Sequence, residues 1–273
     1  MKMIRAIFIS LVTFVYLDAD ILDDNIKNIL GTKEYKIHKN LITLLFKDRD
    51  KYIINEKIRY HKVFSTLKQN GLLDLELNKP SNITLEFRSV NKNAKAYKML
   101  NDTLKALGYR YFFTNSLTID ENSQMLWKIS FKTEYMIDPV FLLKELQQKN
   151  CKILKVEKKA LDHWYYELDF NDSFINQAYR IEKDEKVSFQ KPLQEYMLEI
   201  EDVKTLQVIS KKLNNWYPYI VFFDKDLRLL NIIKKNRIYK GYKTKIPPKT
   251  KYIKISDMYN LINIKRGLSI IVR

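Results

Sequence analysis

The chain has 273 residues, 46% hydrophobic and 30% charged, which supplies apolar material for two modest cores and excludes an intrinsically disordered chain. Forty-nine lysines and arginines stand against thirty-two aspartates and glutamates, a formal net charge of +17 that points to an anionic partner or surface. A single cysteine, Cys151, excludes an intramolecular disulfide, so the core alone must hold the chain together.

Residues 1–19 read as an export signal. Lys2 and Arg5 make a positive start, Ala6 to Leu17 an apolar stretch, and Leu17 and Ala19 suit cleavage before Asp20. That stretch is shorter than the roughly 20 residues of a spanning helix, and no later segment is long and apolar enough to span. Cleavage would remove Lys2, Arg5 and Asp18, leaving +16. Export places the chain in the periplasm, where its charge suits an acidic protein partner, an anionic glycan or an anionic lipid surface rather than nucleic acid. Abundant Lys, Asn, Ile, Tyr and Phe is also what an A/T-rich genome writes, so the charge has a compositional explanation beside the functional one.

Residues 20–80 form an N-terminal helical segment. Apolar spacing predicts helices over Ile21 to Leu30, Tyr35 to Phe46 and Lys57 to Asn70, with Gly31 and Gly71 as C-terminal caps. Leu72 to Leu77 alternates as a strand that Asn78, Lys79 and Pro80 break. Residues 81–170 then read as β-α-β-β-α-β. Ile83 to Ser89 is a strand and Ala94 to Leu107 a helix; Tyr109 to Ile119 and Met125 to Thr133 form a hairpin. Asp138 and Pro139 open the second helix, and Cys151 to Glu157 and Trp164 to Phe170 are two more strands. This order is that of a ferredoxin-like module, with both helices on one face of an antiparallel sheet and the last arm as an addition.

Residues 171–191 are polar and without periodicity, which predicts a linker. From 192 to 273 short apolar runs recur about every ten residues, from Tyr196 to Ile200 through Leu268 to Val272, and predict a small β-sandwich, jelly-roll-like. A helix is expected only around Met258 to Ile262. The fold class is therefore α+β.

The side-chain inventory argues against an enzyme. His38, His61 and His163 are far apart, no nucleophile-elbow, phosphate-loop or dinucleotide pattern occurs, and Cys151 lies inside a predicted buried strand. Glu182, Asp184 and Glu185 read as solvated. No catalytic residue, metal or cofactor is expected. Two segments offer binding chemistry. Trp216, Tyr217 and Tyr219, followed by Asp224 and Asp226, could stack on sugar rings and hold hydroxyls or calcium, or be packing residues before a plain hairpin turn. Between Leu227 and Ser256 the chain carries ten cations and no acid, among them Arg228, Lys234, Lys235, Arg237, Lys240, Lys243 and Lys245, with Tyr239, Tyr242 and Tyr252 interleaved. This could be a docking surface, or a solvated face whose lysines guard strand edges.

With the export signal, the β-α-β-β-α-β middle and the runs Trp216–Leu230 and Ile246–Asp257 in view, the chain resembles uncharacterised periplasmic proteins of epsilonproteobacteria. The resemblance implies an exported accessory component of an envelope machine such as the flagellar motor, built from a ferredoxin-like module and a β-sandwich. The expected function is a non-enzymatic periplasmic binding or scaffold protein, with a glycan- or peptidoglycan-binding protein acting through the C-terminal sandwich as the alternative.

Overall fold

A computed structural model describes residues 21–273 except 92, 123 and the side chain of Asn93, so the expected export signal lies outside the described residues. The fold is mixed α+β, with two compact units divided after Phe174.

The first unit opens with helices α1 (21–30), α2 (Thr32–Ile37) and α3 (Lys39–Leu45), the short strands β1 (Ile53–Ile54) and β2 (Lys57–Ile58), and α4 (Tyr60–Gln69). The single helix expected over Tyr35 to Phe46 is two helices, because His38 leaves helical geometry at φ −100°, ψ 14°. Helix α4 starts later than expected because Lys57 and Ile58 pair with Ile54 and Ile53. It buries Tyr60, Val63, Phe64 and Leu67, the i, i+3, i+4, i+7 face that the spacing predicts.

Next come β3 (Glu76–Ser89), α5 (Asn93–Ala106), β4 (Phe113–Ile119), β5 (Met125–Tyr135), α6 (Pro139–Gln148), β6 (Lys152–Ala160) and β7 (His163–Asp169). The Asn78-Lys79-Pro80 break is a register irregularity within β3 rather than its end. Asp138 caps α6 by accepting the Val140 N–H at 2.9 Å. The strands form one sheet in the order β4-β5-β3-β7-β6.

That sheet departs from the expected antiparallel one. Strand β7 runs parallel to β3, and β6, its antiparallel hairpin partner, is pushed to the edge. The physical reason lies in the two arms. Strand β7 turns Trp164, Tyr166 and Leu168 inward and buries all three, whereas β6 buries only Val156 and carries Lys152, Lys155, Lys158 and Lys159. The apolar arm takes the centre, and the lysine-rich arm guards the edge. Asn28 of α1 reinforces that edge: its side chain accepts the Lys158 N–H at 3.0 Å and reaches the Lys158 carbonyl at 3.5 Å.

The second unit has two sheets, β13-β12-β15-β10-β8 and β14-β11-β16-β9. Their strands are β8 (Tyr179–Arg180), β9 (Lys186–Ser188), β10 (Tyr196–Glu199), β11 (Thr205–Ser210), β12 (Pro218–Phe223), β13 (Leu229–Lys234), β14 (Gly241–Lys245), β15 (Tyr252–Asp257) and β16 (Leu268–Val272). Alternate residues of both sheets, among them Leu206, Val208, Ile220, Phe222, Ile255 and Ile270, meet in one core. The 171–191 stretch, expected as a linker, supplies β8 and β9; its polar sequence hides them because each is only two or three residues long and paired through the backbone. The expected helix near Met258 is a 3-10 turn, Leu261–Ile264. Gly267 is obligatory: φ is +87°, and a Cβ there would lie 2.0 Å from the Phe189 carbonyl oxygen.

Candidate functional site at a basic sheet edge

Six of the ten cations of the Leu227 to Ser256 segment collect along one lateral side of the second unit. Strands β13 and β14 are terminal strands of their respective sheets and follow one another in the chain, so residues 235–240 cross from one sheet to the other. Lys234 ends β13, Lys235, Arg237 and Lys240 lie on the crossing, and Lys243 and Lys245 lie on β14. Pairing opposite Gln207 and Thr205 turns Lys243 and Lys245 to the outer face of their sheet. Lys234 is on the outer face of the other sheet, opposite Tyr219. The expected surface is thus a band around an edge rather than a flat patch. Arg228 stands apart, at the far end of β13 and roughly 20 Å along the strand from Lys234.

Of the ten cations, only Lys251 and Lys254 lie within 4.0 Å of a carboxylate among the described residues. Lys251 reaches Glu199 at 3.1 Å, and Lys254 reaches Glu195 at 3.7 Å. Three of the other eight, with Lys254, lie over aromatic faces. Lys234 and Lys254 sit over the Tyr219 ring at 5.5 and 5.6 Å, Lys235 over Tyr242 at 5.7 Å, and Arg237 over Tyr239 at 5.2 Å while donating to its hydroxyl at 2.9 Å. Tyr239 and Tyr242 meet edge to face at 5.5 Å. These contacts fix the directions of the cations without neutralising them, which keeps their field available to an incoming anion.

Between Arg228 and Lys234, β13, the terminal strand of its sheet, carries Leu229, Leu230 and Ile232, all exposed. The Asn231 side chain accepts the Ile232 N–H at 2.8 Å. An exposed apolar edge strand beside uncompensated cations was not among the expected site residues. Its signal is the run Leu229-Leu230-Asn231-Ile232-Ile233, which lacks the polar alternation of β11.

Trp216 to Asp226 take the packing and hairpin-turn positions that were the alternative to a sugar site. Trp216 is 0% exposed, packed in the core with its indole N–H donating to the Ser256 carbonyl at 2.9 Å, so it offers no stacking face. Tyr217 is half-buried against Tyr259, its N–H bonded to Asp257 at 2.7 Å, and the Tyr219 ring is taken by two lysines. Asp224 closes a hairpin turn by accepting the N–H groups of Asp226 and Arg228, each at 2.8 Å. No cluster of three or more His, Cys, Asp or Glu side chains with metal-binding geometry occurs among the described residues.

The first unit holds the three histidines in three separate settings. His38 is 3.7 Å from Glu34, and His163 is 2.9 Å from Glu86. Burial, with Lys144, Arg59 and Lys62 nearby, holds His61 below its ordinary value. Burial pushes the Cys151 thiol up, away from the reactive thiolate. A cavity of about 380 Å³ lies between the N-terminal helices and the sheet, with Leu73, Leu75 and Trp164 in its wall and Glu34, Asp74 and Lys158 among its polar groups. Among the described residues no helix is long and apolar enough to cross a membrane. No family model and no curated protein matches the chain.

Proposed function

We propose that the chain is a non-enzymatic periplasmic binding or scaffold protein whose C-terminal unit takes up an acidic, extended segment of an envelope protein along β13. The observation that carries this reading is the combination at one edge: an open apolar strand bordered by cations that no carboxylate of the described chain neutralises. A strand added to β13 would gain main-chain hydrogen bonds and cover Leu229, Leu230 and Ile232, while acidic side chains near the Lys234 end meet Lys234, Lys235 and Arg237. The glycan alternative loses its stacking residues with the burial of Trp216 and the covering of Tyr219.

Two finer fold readings belong to the same proposal. The first unit's module is a ferredoxin-like variant with β7 inserted beside β3, supported by its element order, and the second unit is a jelly-roll-like sandwich, supported by its two facing sheets. A role as an accessory of an envelope machine rests on the resemblance.

The test is a cross-linking pull-down of the tagged chain from its own envelope, with a photo-crosslinking residue at Ile232. A single stoichiometric protein captured from position 232, lost in Lys234→Glu/Lys235→Glu/Arg237→Glu and weakened by salt, supports the reading. Glycan fragments, or a partner whose capture ignores the triple charge reversal, overturn it.

A further inference from the structure

We propose that α2 and α3 form an interfacial element by which the first unit lies on an anionic lipid bilayer. Residues 32–45 bury only Ile42, with Tyr35 and Leu45 packed partly against the core. Their opposite side carries a second apolar stripe. Ile37 at the end of α2, and Leu41 and Leu44 spaced i, i+3 on α3, are 61%, 38% and 63% exposed. A helix apolar on both sides has one side still to be covered. None of these three residues lines the neighbouring cavity, which takes Glu34 and His38 instead.

The charges decide what covers the stripe. Between Thr32 and Leu45 the two helices have three lysines, Lys33, Lys36 and Lys39, all exposed, and one acid, Glu34. Glu34 is turned to the cavity and pairs with His38 at 3.7 Å. An apolar stripe rimmed by lysines is the pattern of a helix lying in the headgroup region, where aliphatic side chains enter the acyl boundary and lysines meet lipid phosphates. A second copy is the poorer occupant. It would set three lysines against three, and three aliphatic side chains fall far short of the ~800 Å² per partner that a stable dimer buries.

The experiment uses the chain from Asp20 onward, within which both cores lie. Its sedimentation is measured with vesicles of phosphatidylcholine alone and of phosphatidylcholine mixed equally with phosphatidylglycerol. The anionic vesicles are expected to bind it, and Ile37→Ser/Leu41→Ser/Leu44→Ser to lower the partition coefficient roughly tenfold or more. Charge reversal at Lys234, Lys235 and Arg237 in the other unit is expected to lower it less. A separate Leu44→Trp variant should shift its emission to the blue on anionic vesicles only, which keeps the test decisive if the triple variant loses its fold. Absence of binding, a partition coefficient that follows the Lys234 cluster alone, an unshifted emission from the Leu44→Trp variant, or a dimer in solution that the serine variant dissolves would each overturn the proposal.

Discussion

The two units use the same abundant residue, lysine, in opposite ways. Residues 21–174 contain 26 basic and 20 acidic residues, and many of their cations are matched. Glu86, nearly buried on the sheet face away from α5 and α6, gathers Lys159 at 2.6 Å, His163 at 2.9 Å and Lys128 at 3.4 Å. Arg49 grips Asp23 through two hydrogen bonds, and Lys98 pairs with Asp102 at 2.8 Å. Residues 175–273 contain 21 basic and only 10 acidic residues, and the basic edge is left uncompensated. A compositional bias toward lysine would raise the count everywhere; it does not explain why acids disappear over the thirty residues that supply β13, β14 and most of β15. The contrast teaches that charge is structural ballast in the first unit and external field in the second.

The largest expected effect tests whether packing, not charge, holds the second unit. Trp216→Ala should cost about 3–5 kcal/mol, because it empties a fully buried site and leaves the Ser256 carbonyl without its donor. Urea unfolding followed by separate probes in each unit should show only the C-terminal transition moving. A stable Trp216→Ala protein would return Trp216 to the surface and reopen sugar stacking.

Glu86→Gln is next. It leaves three cationic or ionisable neighbours sharing a neutral group and should cost about 1–2 kcal/mol, discounted because Lys128 and Lys159 are more than a third exposed. Here the N-terminal transition should move alone.

The same carboxylate has a pH signature. Burial alone would raise its pKa, but the bond and charge of Lys159, the bond from Lys128 and the charge of His163 outweigh it and hold Glu86 below its ordinary 4.5. A depressed carboxylate stabilises the fold above its unfolded value and loses that contribution as pH falls through the folded one. The stability gap between the parent and Glu86→Gln should therefore be full near neutral pH and shrink as pH falls below the ordinary value of 4.5 and through the lower folded one. A gap that persists in acid would mean that shape, not charge, is what the glutamine fails to replace.

The smallest effect is the sharpest control. Lys234→Glu/Lys235→Glu/Arg237→Glu should cost no more than about 1 kcal/mol, since it loses solvent-exposed cation–π contacts and the Arg237–Tyr239 hydrogen bond but breaks no ion pair of the described residues. Loss of partner capture at little-changed melting temperature separates a docking edge from a structural one; a large drop in melting temperature would erase the contrast between the units.

Much of this architecture was legible in local pattern. The spacing of Tyr60, Val63, Phe64 and Leu67 specifies the inner face of α4, Asp138-Pro139 marks the start of α6, and alternation places β11 and β16 at the residues expected. These signals are local because side-chain periodicity is set by the backbone geometry of one element. The ten cations without an acid between Leu227 and Ser256 were equally plain, since net charge needs no coordinates.

What tertiary structure alone decided is who stands beside whom. Whether β6 or β7 pairs with β3 depends on which arm buries more apolar area against the helices, and Trp216 is core because the Ser256 carbonyl and the facing sheet close over it. Strands β8 and β9 exist only through their partners β10 and β16, and β13 is an edge only because no later strand comes to lie beyond it. Those outcomes compare burial and pairing energies between residues distant in the chain, a comparison that local periodicity does not contain.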